Sequence, residues 1–252
     1  MRRGLAGVIG AVMALLSMGT AQAAPAFSNW AAIVVSGDWH AHSGGPSEAF
    51  DNARRDVASE LEKLGFLHDN VLQFSVRPER YPDTKPGKTE IKAVYTGLKS
   101  LADKTNGGCL VYFSSHGSPQ GILFDDRLMP PDVMEEVLDD ACPGKPAIVI
   151  ISACFSGVFV PVLATPNRMI LTAARPDRSS FGCSESDKYP YFDDCFLRSA
   201  PAAHDFAALG HAVQKCVADK EAETGMSPPS EPQMWIGPQL APMLPLYGFP
   251  RS

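Results

Sequence analysis

The feature that most constrains this chain is a series of short apolar runs separated by helical patterns. Residues 31–35 (AAIVV), 71–76 (VLQFSV), 109–114 (CLVYFS), 147–151 (AIVII) and 168–172 (RMILT) each have the length of a strand. Several are apolar at consecutive positions, so they are buried on both faces. That is the mark of a parallel sheet covered by helices. Between the runs the period changes. After Ser47, residues Phe50, Ala53, Val57, Leu61 and Leu64 recur at helical steps, and Gly65 ends the pattern. Thr89 caps a second helix carrying Ile91, Val94, Leu98 and Leu101. A third helix is expected over 131–141 and a longer one from about 201 to 223. Residues 77–88 are rich in proline and charge and read as a loop, and 233–236 reads as a last strand. The alternation predicts a single α/β domain with a mostly parallel six-stranded sheet and helices on both faces. Ligands bind such sheets beyond the carboxyl ends of the strands.

The N-terminus reads as an address. Met1-Arg2-Arg3 is basic, residues 4–18 are apolar, and Ala21-Gln22-Ala23 is a small-x-small cleavage site. This predicts a signal peptide over 1–23 and a domain over 24–252 that works in the periplasm or outside the cell. The apolar run is shorter than the roughly 20 residues that span a bilayer, and no later segment is long enough, so no membrane span is expected in the mature chain. A net charge of −6 argues against a nucleic-acid partner, which requires a positive surface. The segment 225–252 is rich in proline, yet it carries Trp235, Ile236, Leu240, Leu244, Leu246, Tyr247 and Phe249. It reads as packed extended chain, and it is a candidate cover for the substrate cleft.

The chain has 6 cysteines and no CxxC pair, which argues against a zinc ribbon or a thioredoxin-like centre. If one is a reactive thiolate, at most two bridges and one spare cysteine remain. Cys109 and Cys142 both precede apolar strand-like runs and are candidates to meet at one edge of the sheet.

Two strand ends carry the chemistry. The third strand runs into Ser115-His116-Gly117 and the fourth into Ser152-Ala153-Cys154-Phe155-Ser156-Gly157. If these strands are neighbours, a histidine and a cysteine emerge on one edge. Cysteine needs a base or a positive partner to become a thiolate, and histidine is suited both to that and to protonating a leaving amine. The amides of Gly117 and Cys154 are candidates for an oxyanion hole. Asp38, Asp51 and Asn52 are candidates to orient His116, and the sequence does not rank them. His40 and His42 follow the first strand; without a third ligand at fixed spacing they read as loop histidines, and no metal or cofactor is called for. The plainer alternatives are a buried core cysteine at 154 and a loop histidine at 116.

These segments resemble a known family. Tyr112-Phe113-Ser114-Ser115-His116-Gly117-Ser118, then Gly121-Ile122-Leu123, resembles the His-Gly segment of the legumain-like cysteine peptidases. Ser152-Ala153-Cys154-Phe155-Ser156-Gly157 resembles their Glu-Ala-Cys-Glu-Ser-Gly segment. The stretch from Thr172-Ala173-Ala174 through Ser179-Ser180-Phe181-Gly182-Cys183 is similar to their Thr-Ala-Ala…Ser-Ser-Tyr-Ala-Cys stretch. The family includes the catalytic subunit of the GPI transamidase. The resemblance implies a caspase-like fold and a catalytic dyad of His116 and Cys154. It also implies oxyanion-hole amides at Gly117 and Cys154, and substrate-binding Ser179 and Ser180.

The chain departs from the family where specificity is set. Ser152 replaces a glutamate before the Ala-Cys pair. Asp51-Asn52-Ala53-Arg54-Arg55-Asp56 stands where the family has an Arg-His pair, and Arg54 and Arg55 read as a solvated helix face. Asp194 is matched to the acidic residue of the substrate pocket. With that carboxylate kept and the arginine lost, the pocket is expected to be net acidic and to favour Arg or Lys. The alternative for Asp193 and Asp194 is a solvated turn. The leading reading is an exported cysteine endopeptidase acting on protein or peptide substrates through a thioester acyl-enzyme. The alternatives are a transamidase or peptide ligase with the same dyad, or a non-catalytic secreted binding module whose Cys154 is buried or tied in a disulfide.

Overall fold

Alternation of apolar side chains along the strands produces two cores. In a computed structural model that describes residues 25–250, the strands are β1 (Ala31–Ser36), β2 (Val71–Ser75), β3 (Gly87–Lys88), β4 (Cys109–Ser114), β5 (Gly117–Ser118), β6 (Gly121–Phe124), β7 (Arg127–Met129), β8 (Ala147–Ser152), β9 (Arg168–Thr172) and β10 (Gln233–Ile236). The helices are α1 (Ala49–Lys63), α2 (Ile91–Lys104), α3 (Pro131–Ala141), α4 (Val160–Leu163), α5 (Tyr191–Ser199) and α6 (Phe206–Thr224). The leader read over 1–23 lies outside the described residues.

The main sheet has the order β10-β9-β8-β4-β1-β2-β3, parallel except for β10 against β9. It has seven strands rather than six. The extra one, Gly87–Lys88, lies in the stretch read as a loop and pairs with Phe74 and Ser75. Two residues are too short to show a period, so the sequence carried no signal for it. A second sheet, β5-β6-β7, is a small antiparallel meander built directly after β4.

One face of the main sheet presents Ala32, Val34, Leu110, Tyr112, Ile148, Ile150, Met169 and Leu171 to α1, α5 and α6. The other presents Ile33, Val35, Val111, Phe113, Val149, Ile151 and Ile170 to α2, α3 and α4. Period-2 alternation with helices on both sides explains why the strands are apolar throughout. Among the described residues no helix is long and apolar enough to cross a membrane.

Asp205 starts α6 by accepting a hydrogen bond from Ala208 N at 2.8 Å, so the helix opens later than 201. Arg54 is fully buried, a correction to its reading as a solvated residue. Its Nε donates to Asp51 at 2.8 Å, and its Nη1 reaches Gln73 and Thr84. The Cys109–Cys142 bridge expected from the sequence is formed, and Cys195–Cys216 ties α5 to α6. The proline-rich tail is packed. It supplies β10 and then brings Tyr247 and Phe249 against Phe27, Trp30 and Phe206 below the amino ends of the strands. Most of it therefore lies away from the carboxyl ends.

Candidate active site

Register places the two candidate reactive side chains, His116 and Cys154. β4 and β8 are neighbours, with Ser114 opposite Ser152, and Ser115 N donates to Ser152 O at 3.1 Å. His116 and Cys154 each stand two residues beyond that pair, so they leave the sheet at the same level. Gly117 is required by this closeness. A Cβ there would lie 2.1 Å from the Cys154 carbonyl oxygen, which no side chain can tolerate. After the cysteine, Phe155 takes a left-handed conformation (φ 57°), and its N–H donates to Arg178 O at 2.7 Å. Cys154 thus sits on a sharp turn pinned to the 175–180 loop.

Beneath the pair lies a polar knot that sequence reasoning missed. Asp193 on α5 is fully buried and accepts from Tyr112 Oη at 2.6 Å, Ser152 Oγ at 2.7 Å and Ser114 Oγ at 3.0 Å. It ties the ends of β4 and β8 together two residues below His116 and Cys154. Burial pushes its carboxyl up to about 6, against the opposing pull of those hydroxyls. The same surroundings push the Tyr112 phenol well above its ordinary range. Apolar Phe192 and Phe196 one turn apart were the signal for a helix here.

This knot corrects two expected substrate contacts. Ser152 is buried with its hydroxyl directed at Asp193, and it does not line the cavity at Cys154. Asp194, one residue on, lies about 100° further round α5. It accepts from Lys220 at 2.6 Å, with Arg198 at 3.8 Å, so its charge is met by cations and does not face the cavity.

His116 Nε2 lies 3.0 Å from the carbonyl oxygen of His40. A carbonyl only accepts, so Nε2 carries the proton and neutral His116 has its bare nitrogen at Nδ1. The Phe50 ring packs edge-on at 5.0 Å. Of the three orienting candidates, Asp51 is taken by Arg54, and Asn52 donates to Lys188 O. Asp38 alone reaches the histidine, its Oδ2 lying 3.8 Å from Nε2.

Cys154 is a free thiol, not bridged. Its Sγ accepts from Ser180 N at 3.2 Å and lies 3.6 Å from Ser180 Oγ. These contacts fix the direction of the sulfur. Beside it opens a cavity of about 530 Å³, lined by Ser179, Ser180, His42 and Cys183, with Glu185 and Asp187 on its rim. Ser179 and Ser180 both line this cavity beside Cys154. Met226, just after α6, also borders the cavity and is the part of the tail segment that reaches it. Burial raises the Cys183 thiol to about 11, which keeps this spare cysteine neutral. His40 and His42 are loop residues, and among the described residues no group of three His, Cys, Asp or Glu side chains is placed to hold a metal.

Residues 75–224 match the Peptidase C13 family. The solved structure of caspase-1 from Spodoptera frugiperda is similar in fold, with a TM-score of 0.60 at 18% identity over 90% of this chain and 94% of that one. No curated protein matches the sequence.

Proposed function

The chain belongs to the Peptidase C13 family, the legumain family of cysteine peptidases, and from that premise we propose that it is an exported cysteine endopeptidase with Cys154 as nucleophile and His116 as its general acid–base partner. The observation that carries the proposal is the shared register: adjacent parallel strands deliver His116 and Cys154 two residues past one Ser114–Ser152 pair.

In the proposed mechanism His116 takes the Cys154 thiol proton at Nδ1 as the sulfur attacks the scissile carbonyl carbon. The carbonyl π electrons move to oxygen, where the Gly117 and Cys154 amides stabilise the charge. As the tetrahedral intermediate collapses, the C–N bond breaks and His116 gives its proton to the departing amine. A thioester remains. Water then attacks it, His116 takes a proton from that water, and the acid leaves as Cys154 is released. Ser179 and Ser180 line the cavity that receives the substrate. Glu185 and Asp187 give that cavity a negative rim with no lysine or arginine among its lining residues, which supports a basic or neutral side chain next to the cut bond. The leader over 1–23 supports work in the periplasm or outside the cell.

The test is hydrolysis of fluorogenic peptides ending in Asn, Asp, Arg or Lys by the protein from Ala24 onward, beside Cys154→Ala. The expected result is cleavage that falls by about 1,000-fold or more in the variant. Failure to cleave any peptide, with Cys154 no more reactive to iodoacetamide than a free thiol, would overturn the proposal.

A further inference from the structure

We propose that Cys183 is the resolving thiol of Cys154, closing with it as a third disulfide when Cys154 is oxidised and released again by a reductant; the inference rests on the reading of Cys154 as the nucleophile. Four of the 6 cysteines are already bridged, Cys109 to Cys142 and Cys195 to Cys216. The two left over, Cys154 and Cys183, are both half-buried, and both line the cavity of about 530 Å³. Sheet order brings them there. β8 ends at the Cys154 turn, its neighbour β9 leads into the loop that bears Cys183, and Ser180 N donates to Cys154 Sγ at 3.2 Å. Three residues on, past the left-handed Gly182 (φ 87°), the Cys183 carbonyl accepts from His42 N at 3.0 Å, which holds Cys183 on the cavity wall. Burial and the negative charge of Cys154 together push the Cys183 thiol up to about 11.

The chain from Ser180 to Cys183 spans at most about 10–11 Å, and it bends at Gly182. A disulfide needs the two Cα atoms within about 7 Å. Residues 179–188 form neither helix nor strand and none of them is buried, so this is the segment that moves to close the bond. With a peroxide as oxidant the chemistry balances. The Cys154 thiolate attacks one peroxide oxygen: an S–O bond forms, the O–O bond breaks, and the leaving hydroxide is protonated to water. The sulfur is oxidised to a sulfenic acid and the peroxide is reduced. The Cys183 sulfur then attacks that sulfur. The S–S bond forms, the S–O bond breaks, and the hydroxyl leaves with the Cys183 proton as water. A dithiol opens the bridge in two exchange steps, becoming a disulfide itself, and both thiols return. Without a resolving thiol, a second peroxide takes the sulfenic acid to a sulfinic acid, which a dithiol does not restore. The raised Cys183 thiol sets the roles. It stays neutral while Cys154 reacts, and once Cys154 is no longer an anion, one cause of that rise is gone. The proposed export puts the chain where such bridges form and persist.

The test exposes the folded protein from Ala24 onward to a slight excess of hydrogen peroxide, then unfolds it in N-ethylmaleimide and maps its peptides by mass. We expect the free thiols to fall from two to none, with Cys154 and Cys183 recovered as one linked peptide pair. Dithiothreitol added to the folded protein should restore both thiols. In Cys183→Ser the linked pair is absent, and the fraction of Cys154 lost to sulfinic acid at the same dose is expected to rise by about 10-fold. Cys183→Ala repeats that measurement, and the map of the unsubstituted chain stands without either variant. Absence of the linked pair in the unsubstituted chain, with Cys154 reaching the sulfinic acid as fast as in Cys183→Ser, overturns the proposal. A pair that forms only after unfolding overturns it as well. Peptide cleavage measured before and after peroxide separates this inference from the proposed activity. Cleavage in a protein that forms no linked pair strikes the bridge alone. A linked pair in a protein that cleaves nothing when reduced strikes the proposed activity and leaves the pairing standing.

Discussion

The two ends of the main sheet are built from opposite materials. At the amino ends, Phe27, Trp30, Phe66, Phe206, Tyr247 and Phe249 form one aromatic cluster, with neighbouring rings stacked or edge-on about 5–6 Å apart. At the carboxyl ends the buried groups are Ser114, Ser152, Asp193 and Asp38, all held by hydrogen bonds, with His116 and Cys154 above them. The aromatic end gains by removing apolar area from water and tolerates small shifts in angle. The polar end gains little net stability, because each buried polar group first loses its water. What it gains is geometry: fixed directions for a carbonyl, a ring and a sulfur. The difference shows that stability and positioning are held by separate regions of one sheet.

Substitutions can break that division. The largest effect is expected from Trp30→Ala, which empties the centre of the aromatic end and should cost about 3–5 kcal/mol by denaturant unfolding. Turnover per folded molecule should not change; a fall in kcat at low denaturant would mean that the two ends are coupled. Gly117→Ala is the reverse case. Its Cβ would strike the Cys154 carbonyl oxygen at 2.1 Å, so kcat should fall by about 100-fold or more, with a far smaller change in stability.

Asp193 gives a pH signature to the polar end. Its carboxyl is raised to about 6 by burial, above its unfolded value, so the native state binds its proton more tightly. Native stability from this group is therefore greatest when it is protonated and declines as the pH rises from about 4 through 6. Measured against Asp193→Asn, the wild type should gain about 1–2 kcal/mol between pH 7.5 and pH 5. A difference that is flat over that range, or of opposite sign, would show that Asp193 is not held in this way. The smallest effect belongs to Asp194→Ala. With Asp194 paired to Lys220 outside the cavity, activity on every peptide should stay within about twofold and stability within about 1 kcal/mol. A selective loss of cleavage after Arg or Lys would return Asp194 to the pocket.

Much of this was legible in the sequence because period and punctuation are local. The six longest strands of the main sheet fell on apolar runs, and three helices on clear three- and four-residue steps. The His-Gly and Ala-Cys segments stood out because both end apolar strands with small residues. Ser179 and Ser180 were singled out through the same family likeness. Two misreadings share one cause. Asp193 and Arg54 are charged, and charge in a sequence looks like surface. Whether such a residue faces water depends on the helix phase and on a partner far along the chain. For Asp193 that partner set is Tyr112, Ser114 and Ser152; for Arg54 it includes Gln73 and Thr84.

The sequence by itself determined the α/β class, the strand ends that bear His116 and Cys154, and the count of cysteines free to bridge. Those follow from short-range patterns of apolar side chains, glycine and cysteine. The tertiary structure alone decided which strands are neighbours, which of two adjacent aspartates is buried, and which carboxylate meets His116. Each of these is a contact between segments distant in the chain, set by sheet order and register, and no local pattern encodes it.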